Sequence, residues 1–177
     1  MITLALVQGE ALGGGFEAVL SNQVIIAERR STFGFPEILF NLFPGMGAYS
    51  FLARLIGARR AEEIITSGAL YGAAELAELG IVDVVAEDGQ GEAVATGFMK
   101  DHLRRHNSYS ALLQARRELF PIHRDELMRI ATIWVDAALR LESKDLRIMQ
   151  RLVSAQKKRF AGRDGAIADG EVGDFGG

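Results

Sequence analysis

Two glutamates twenty positions apart, Glu17 and Glu37, are the residues of this sequence most suited by type and setting to move protons. Glu17 closes the run Gly9-Glu10-Ala11-Leu12-Gly13-Gly14-Gly15-Phe16-Glu17, where three consecutive glycines separate an apolar strand from a short helix. Glycines there let the backbone approach a ligand closely, and the first N–H groups of the helix are left to donate. Such amides, with the helix dipole behind them, suit a developing oxyanion. Glu17 lies one helical turn beyond Gly14, so its carboxylate falls beside the same pocket. Glu37 sits among Phe35, Pro36, Ile38 and Leu39. Desolvation there should raise its pKa, and two neighbouring carboxylates should raise one another's. A pair of that kind can serve as acid and base near neutral pH. Singly, each glutamate reads as an ordinary acid at a helix start; the conjunction is what points to chemistry.

The elements that must position the pair follow from the surrounding pattern. Ile2 to Val7 and Gln23 to Ala27 read as buried strands, and Ser31 to Phe35 as a shorter extended piece stopped by Pro36. Gly9 to Gly15 reads as a loop and Phe16 to Leu20 as a short helix. Leu42 to Gly47 is a turn, followed by helices over Ala48–Ile56, Arg59–Thr66 and Ala73–Leu79 and a strand over Ile81–Val85. Beyond Asp88-Gly89 the chain is helical, over Glu92–Arg105, Ser108–Leu119, Arg124–Leu141 and Lys144–Arg159. In the third of these Leu127, Ile130, Ala131, Trp134, Ala138 and Leu141 fall on one face. The predicted fold class is α/β, with residues 1–88 as the core that carries the glutamates. Residues 89–160 form a helical module, and the glycine- and acid-rich stretch 161–177 reads as a disordered tail.

Composition narrows the function. The 177 residues are 49% hydrophobic and carry a net charge of -3, with no basic field to advertise nucleic acid or an anionic membrane. There are no cysteines, which removes thiolate nucleophiles, disulfides and Cys-ligated metals. No apolar run approaches the roughly 20 residues of a membrane span, and a cytoplasmic protein is the expectation. The chain opens directly in a strand, which reads as a domain that has been cut.

Other motifs compete. Gly13-x-Gly15-x-x-Ala18 fits a dinucleotide fingerprint formally, but five residues separate Val7 from Gly13, and Glu37 follows a proline instead of ending a strand. His102 and His106 share a helix face at metal-ligand spacing, yet no third ligand is near and both sit among arginines, so surface histidines and no metal are expected. No G-x-S-x-G elbow is present, so any hydrolysis is expected to use activated water.

Read as a whole, G-E-A-L-G-G-G-F-E, F-G-F-P-E-I, P-G-M-G-A, L-I-G-A-R-R-A-E-E-I-I-T-S-G and A-A-E-L-A-E-L-G-I-V-D-V-V resemble the crotonase (enoyl-CoA hydratase/isomerase) superfamily continuously from Gly9 to Val85. More narrowly, E-I-L-F-N-L-F-P-G-M-G-A-Y-S-F and the helices around Trp134 resemble bacterial diffusible-signal-factor synthases, a likeness that runs to about Phe160. The resemblance implies a partial crotonase-like β-β-α spiral followed by a C-terminal helical module. It implies that Gly14 donates one half of an oxyanion hole, and that Glu17 and Glu37 transfer protons at the α- and β-carbons of an acyl thioester. Leu12, Gly13, Met46, Trp134 and Leu152 match substrate-binding positions, the last three of them lining the apolar acyl-chain pocket. In the synthase branch the substrate is a 3-hydroxyacyl thioester of acyl carrier protein or CoA, dehydrated to a cis-2-enoyl thioester and hydrolysed to a free fatty-acid quorum signal. No other cofactor is implied. The alternatives are plain enoyl-CoA hydration or isomerisation, or an inactive crotonase-fold fragment that only binds partners. Family habit also implies a homo-oligomer, a trimer above all, and in the synthase branch a sensor-kinase partner. The family pattern places a second oxyanion amide ahead of the segment that matches here.

Overall fold

The computed structural model describes residues 2–168, with side chains described through residue 158. Two compact units emerge, Met1–Arg140 and Leu141–Gly177. This division differs from the expected boundary near residue 88: the first three helices of the anticipated module group with the strands.

The first unit holds two three-stranded sheets. In one, β1 (Leu4–Val7) pairs parallel with β3 (Val24–Glu28), which pairs parallel with β6 (Val84–Ala86). β3 is buried along its whole length, which is why its sequence is continuously apolar until Glu28. In the other sheet, β2 (Glu10–Leu12) pairs parallel with β4 (Thr32–Gly34), and β4 pairs antiparallel with β5 (Leu70–Gly72). β2 falls within the stretch expected to be loop, and β5 falls between two of the expected helices, where no element was assigned.

Helices α1 (Gly14–Leu20), α2 (Ala48–Ile56), α3 (Ala58–Ser67) and α4 (Ala73–Glu78) pack over these strands. Phe16, Phe33, Phe35, Ala48, Leu52, Ala61 and Leu76 are fully buried in one apolar cluster. Its centre is aromatic: the Phe16 ring stacks on Phe35 at 4.9 Å and leans on Phe33 at 5.1 Å. This stack sets the site, because Phe16 directly precedes Glu17 and Phe35 stands two residues before Glu37.

A second cluster forms where α5 (Gly91–Arg104) covers β1 and β3 through Ala95. There the buried Glu28 accepts hydrogen bonds from Gln8 Nε2 at 3.0 Å and from the Gly91 N–H at 3.2 Å, with Arg30 Nη2 at 3.4 Å. The Gln8 amide and the Gly89 and Gly91 N–H groups hold its pKa below the usual carboxylate range. A charge with this many donors can be buried, and it ties the start of α5 to the end of β3.

α6 (His106–Leu119) and α7 (Arg124–Ala138) follow. The face of α7 bearing Leu127, Ile130, Ala131, Trp134 and Ala138 is half-buried, as its spacing predicts, while Met128, Ile133, Val135 and Leu139 are exposed. In the second unit, α8 spans Ser143–Ala168. Its helix continues through residues 161–168 of the expected tail, and residues 169–177 lie outside the described residues. No described helix is long and apolar enough to cross a membrane.

Candidate functional site

The two glutamates reach one place because β2 and β4 are parallel neighbours in matched register. Leu12 lies opposite Gly34, and the chain leaves both strands in the same direction. The Gly13 N–H donates to the Gly34 carbonyl at 2.9 Å, fastening the two exits together. Gly13 then turns with φ 55° and ψ -125°, a conformation that a side chain resists, and α1 begins at Gly14. The N–H of Gly14 opens the helix and has no carbonyl one turn back to bond.

Glu17 lies in the first turn of α1 with 3% of its surface exposed. Its Oε1 accepts two backbone hydrogen bonds, from the Met46 N–H at 2.6 Å and the Ala48 N–H at 3.1 Å. Burial raises its pKa, and these two amides oppose the rise. Both donors belong to the Pro44–Gly47 turn and the start of α2, where Gly47 adopts φ 118° to aim the chain.

Glu37 sits in a 3-10 turn over Pro36–Phe40, with Pro36 at its first position. Its pKa is raised to about 7, chiefly by burial and further by the charge of Glu17. The two carboxyls are coupled, as their apolar settings predict, and both are raised. Glu37 Oε2 is buried and has no hydrogen-bond partner among the described residues. Leu39, expected to help bury Glu37, is instead 49% exposed.

A Cβ added to Gly13 would stand 2.5 Å from Glu37 Oε1, so the bare backbone of Gly13 is the wall against which that carboxyl rests. Gly13→Ala is therefore expected to displace Glu37 and strain the turn. Its midpoint in urea should fall by the equivalent of about 1–3 kcal/mol, and any proton-transfer activity should fall with it. An unchanged unfolding curve would place Glu37 elsewhere in solution.

The other sequence-named residues divide between the two units. Leu12 ends β2, half-buried. Met46 is 68% exposed, and its Cε lies 2.6 Å from where a Cβ on Gly14 would be. Met46 thus borders the Gly14 amide without being a core residue. Trp134 is half-buried on α7 and fills the space where Gly45 would carry a side chain. Leu152 lies on α8 in the second unit, half-buried. Ala48, a donor to Glu17 through its backbone, went unnoticed in the sequence because an amide leaves no trace in residue type.

Of the competing motifs, the glycine pattern does stand between a strand, β2, and a helix, α1, while the histidine pair finds no third ligand among the described residues. His102 is half-buried, its ring stacked on Tyr109 at 3.7 Å and on Phe98 at 5.3 Å, which corrects the expectation of two surface histidines. Among the described residues no cluster of His, Asp and Glu could hold a metal. A cleft of about 630 Å³ is lined by residues including Leu20, Arg54, Asp83, Arg116 and Phe120, and contains neither carboxylate.

The family model described as enoyl-CoA hydratase/isomerase matches residues 1–118. An enoyl-CoA isomerase/hydratase of Mycosarcoma maydis is 42% identical over 85 residues, 48% of this chain and 31% of that protein. A mevalonyl-coenzyme A hydratase of Aspergillus fumigatus is 38% identical over 87 residues, 49% of this chain and 32% of that protein. Among solved structures, a carnitinyl-CoA hydratase from Mycobacterium avium has the same fold, with a TM-score of 0.69 at 23% identity over 87% of this chain and 59% of that one. The chain thus spans about a third of these curated relatives' length and about three fifths of that structure.

Proposed function

This chain belongs to the enoyl-CoA hydratase/isomerase family, and from that premise we propose that it handles acyl thioesters, adding water across or removing it from the bond between the α- and β-carbons. The observation that carries this reading is the inequality of the two carboxyls. Glu17 is held as an acceptor by two N–H groups, while Glu37 keeps its proton up to about pH 7 and has an oxygen without a partner.

In the hydration direction Glu17, as carboxylate, takes a proton from water as the water oxygen bonds to the β-carbon. The electron pair of the double bond moves onto the thioester oxygen, where the Gly14 N–H meets the developing charge. The enolate then collapses and its α-carbon takes the Glu37 proton. Glu17 ends protonated and Glu37 ionised, and exchange with solvent restores both. Dehydration runs through the same steps backwards. These are proton transfers, so the reading includes no cofactor besides the acyl carrier, CoA or acyl carrier protein.

A narrower reading is that the substrate is a 3-hydroxyacyl thioester, dehydrated to a cis-2-enoyl thioester whose free acid is then released by water. Met46 beside Gly14 and Trp134 against Gly45 support it, because the synthase-like stretch assigns both to the acyl chain. Met128, Val135 and Leu139, exposed along one side of α7, support self-association, with a trimer as the proposed form. A sensor-kinase partner belongs to the same narrower reading.

The test is mass spectrometry of the purified chain with a 2-enoyl-CoA and, separately, a medium-chain 3-hydroxyacyl thioester of acyl carrier protein. Hydrated or dehydrated thioester that disappears with Glu17→Gln is the expected result, and free 2-enoic acid selects the narrower reading. A folded chain that turns over neither thioester sinks the catalytic reading and leaves a fold that binds.

A further inference from the structure

The Pro44–Gly47 turn is pressed from outside by α7 at two points. Trp134 occupies the space of a Gly45 side chain, and Leu127 Cδ2 comes within 3.3 Å of where a Gly47 Cβ would stand. Those residues are two helical turns apart and share one face of α7. Between the two contacts lies Met46, whose N–H is the shorter of the two donors to Glu17.

The start of α7 is itself fastened. Glu126 accepts from Ser50 Oγ at 2.6 Å and from Arg54 Nη1 and Nη2 at 2.9 and 2.8 Å. Arg54 also donates to the Pro121 carbonyl at 2.7 Å, immediately ahead of the helix. Ser50 and Arg54 belong to α2, the helix whose first amide, Ala48, is the second donor to Glu17. One clamp therefore ties α7 to the helix that opens with a backbone donor to Glu17.

We propose that α7 is a positioning element for Glu17: Trp134 and Leu127, registered by the Glu126–Arg54 clamp, hold the Pro44–Gly47 turn so that the Met46 and Ala48 amides stay on the Glu17 carboxylate. Glu17's catalytic meaning rests on the proton-transfer reading above, but the positioning does not. Trp134 then acts through the turn, whatever it also offers an acyl chain. The charged groups concerned are few: Glu17 faces Glu37, while Glu126 faces Arg54 and His123.

The experiment is a pH titration of the ¹³C-labelled glutamate carboxyls by NMR, without substrate, with the Glu17 resonance identified by its loss in Glu17→Gln. Freeing the turn removes two donors that favour the ionised form. Trp134→Ala is accordingly expected to raise the Glu17 midpoint by about one pH unit, and Trp134→Phe to leave it near the parent value. Glu126→Gln, which keeps the size of the side chain, should move it the same way by less. A Glu17 midpoint that stays or falls in folded Trp134→Ala overturns the proposal. If the alanine variant does not fold, an unmoved midpoint in Glu126→Gln overturns it instead. Because no turnover is read, an inactive chain would leave this result standing.

Discussion

On the proposed proton-transfer reading, Glu37→Gln is expected to lower turnover of a 2-enoyl thioester by about 100- to 10,000-fold, the range for removal of a general acid, with the circular-dichroism spectrum unchanged. The glutamine cannot give a proton to the α-carbon, yet it fits the same space against Gly13. A second effect of the same substitution is visible without substrate. The pKa of Glu37 is raised from 4.5 to about 7 in the folded chain, so the folded state binds this proton more tightly than the unfolded state does. The stability it contributes is full below pH 4.5 and is lost as pH rises towards about 7. Discounted for partial exposure, the loss is on the order of 2 kcal/mol. Urea unfolding of the parent across that window should show this decline, and Glu37→Gln should flatten it. A parental slope in the variant would assign the titration to another group.

Gly14→Pro should cost about 100- to 1000-fold in the same reaction, as loss of one oxyanion donor does. Proline is tolerated at the first position of a helix, where it removes an N–H that the helix does not use. Gly14→Ala is the control. It keeps the N–H, and its Cβ meets only the flexible end of Met46. Rates for the two variants that fall equally would show that bulk beside Met46 matters and the amide does not.

The sequence declared some parts of this structure and concealed others, for physical reasons. β1 and, up to Glu28, β3 are unbroken apolar runs, and α2 and the inward face of α7 carry apolar residues at the helical period; both signals are local information. β2 and β5 are three residues each, too short for a period, and exist because β4 pairs with both. The glycine run was legible as a close-approach loop, but Gly13 as the rest for Glu37 was not, since that contact joins residues brought together by strand pairing. Glu17 and Glu37 were legible as a pair because burial follows from apolar neighbours. Their inequality was hidden: it arises from the Met46 and Ala48 amides, which any residue but proline could supply at those positions. The clamp of Glu126 on Arg54 and Ser50 is hidden likewise, spanning more than seventy positions between residues that look ordinary in isolation.

The paired exits of β2 and β4 also bear on how this segment can change over generations. Each carboxyl hangs a fixed count of residues beyond a strand end, and the strand ends are locked at Leu12 opposite Gly34. Substitutions that leave Gly13 bare can therefore accumulate around the glutamates without altering their separation, which belongs to the backbone lattice. A single inserted or deleted residue between Leu12 and Glu17 would swing that carboxyl by roughly 100° around α1 and dissolve the pair at once. Outside Gly13, the two glutamates and the buried phenylalanines, descendants of this chain should tolerate substitution between residues 10 and 37 more readily than any change in length.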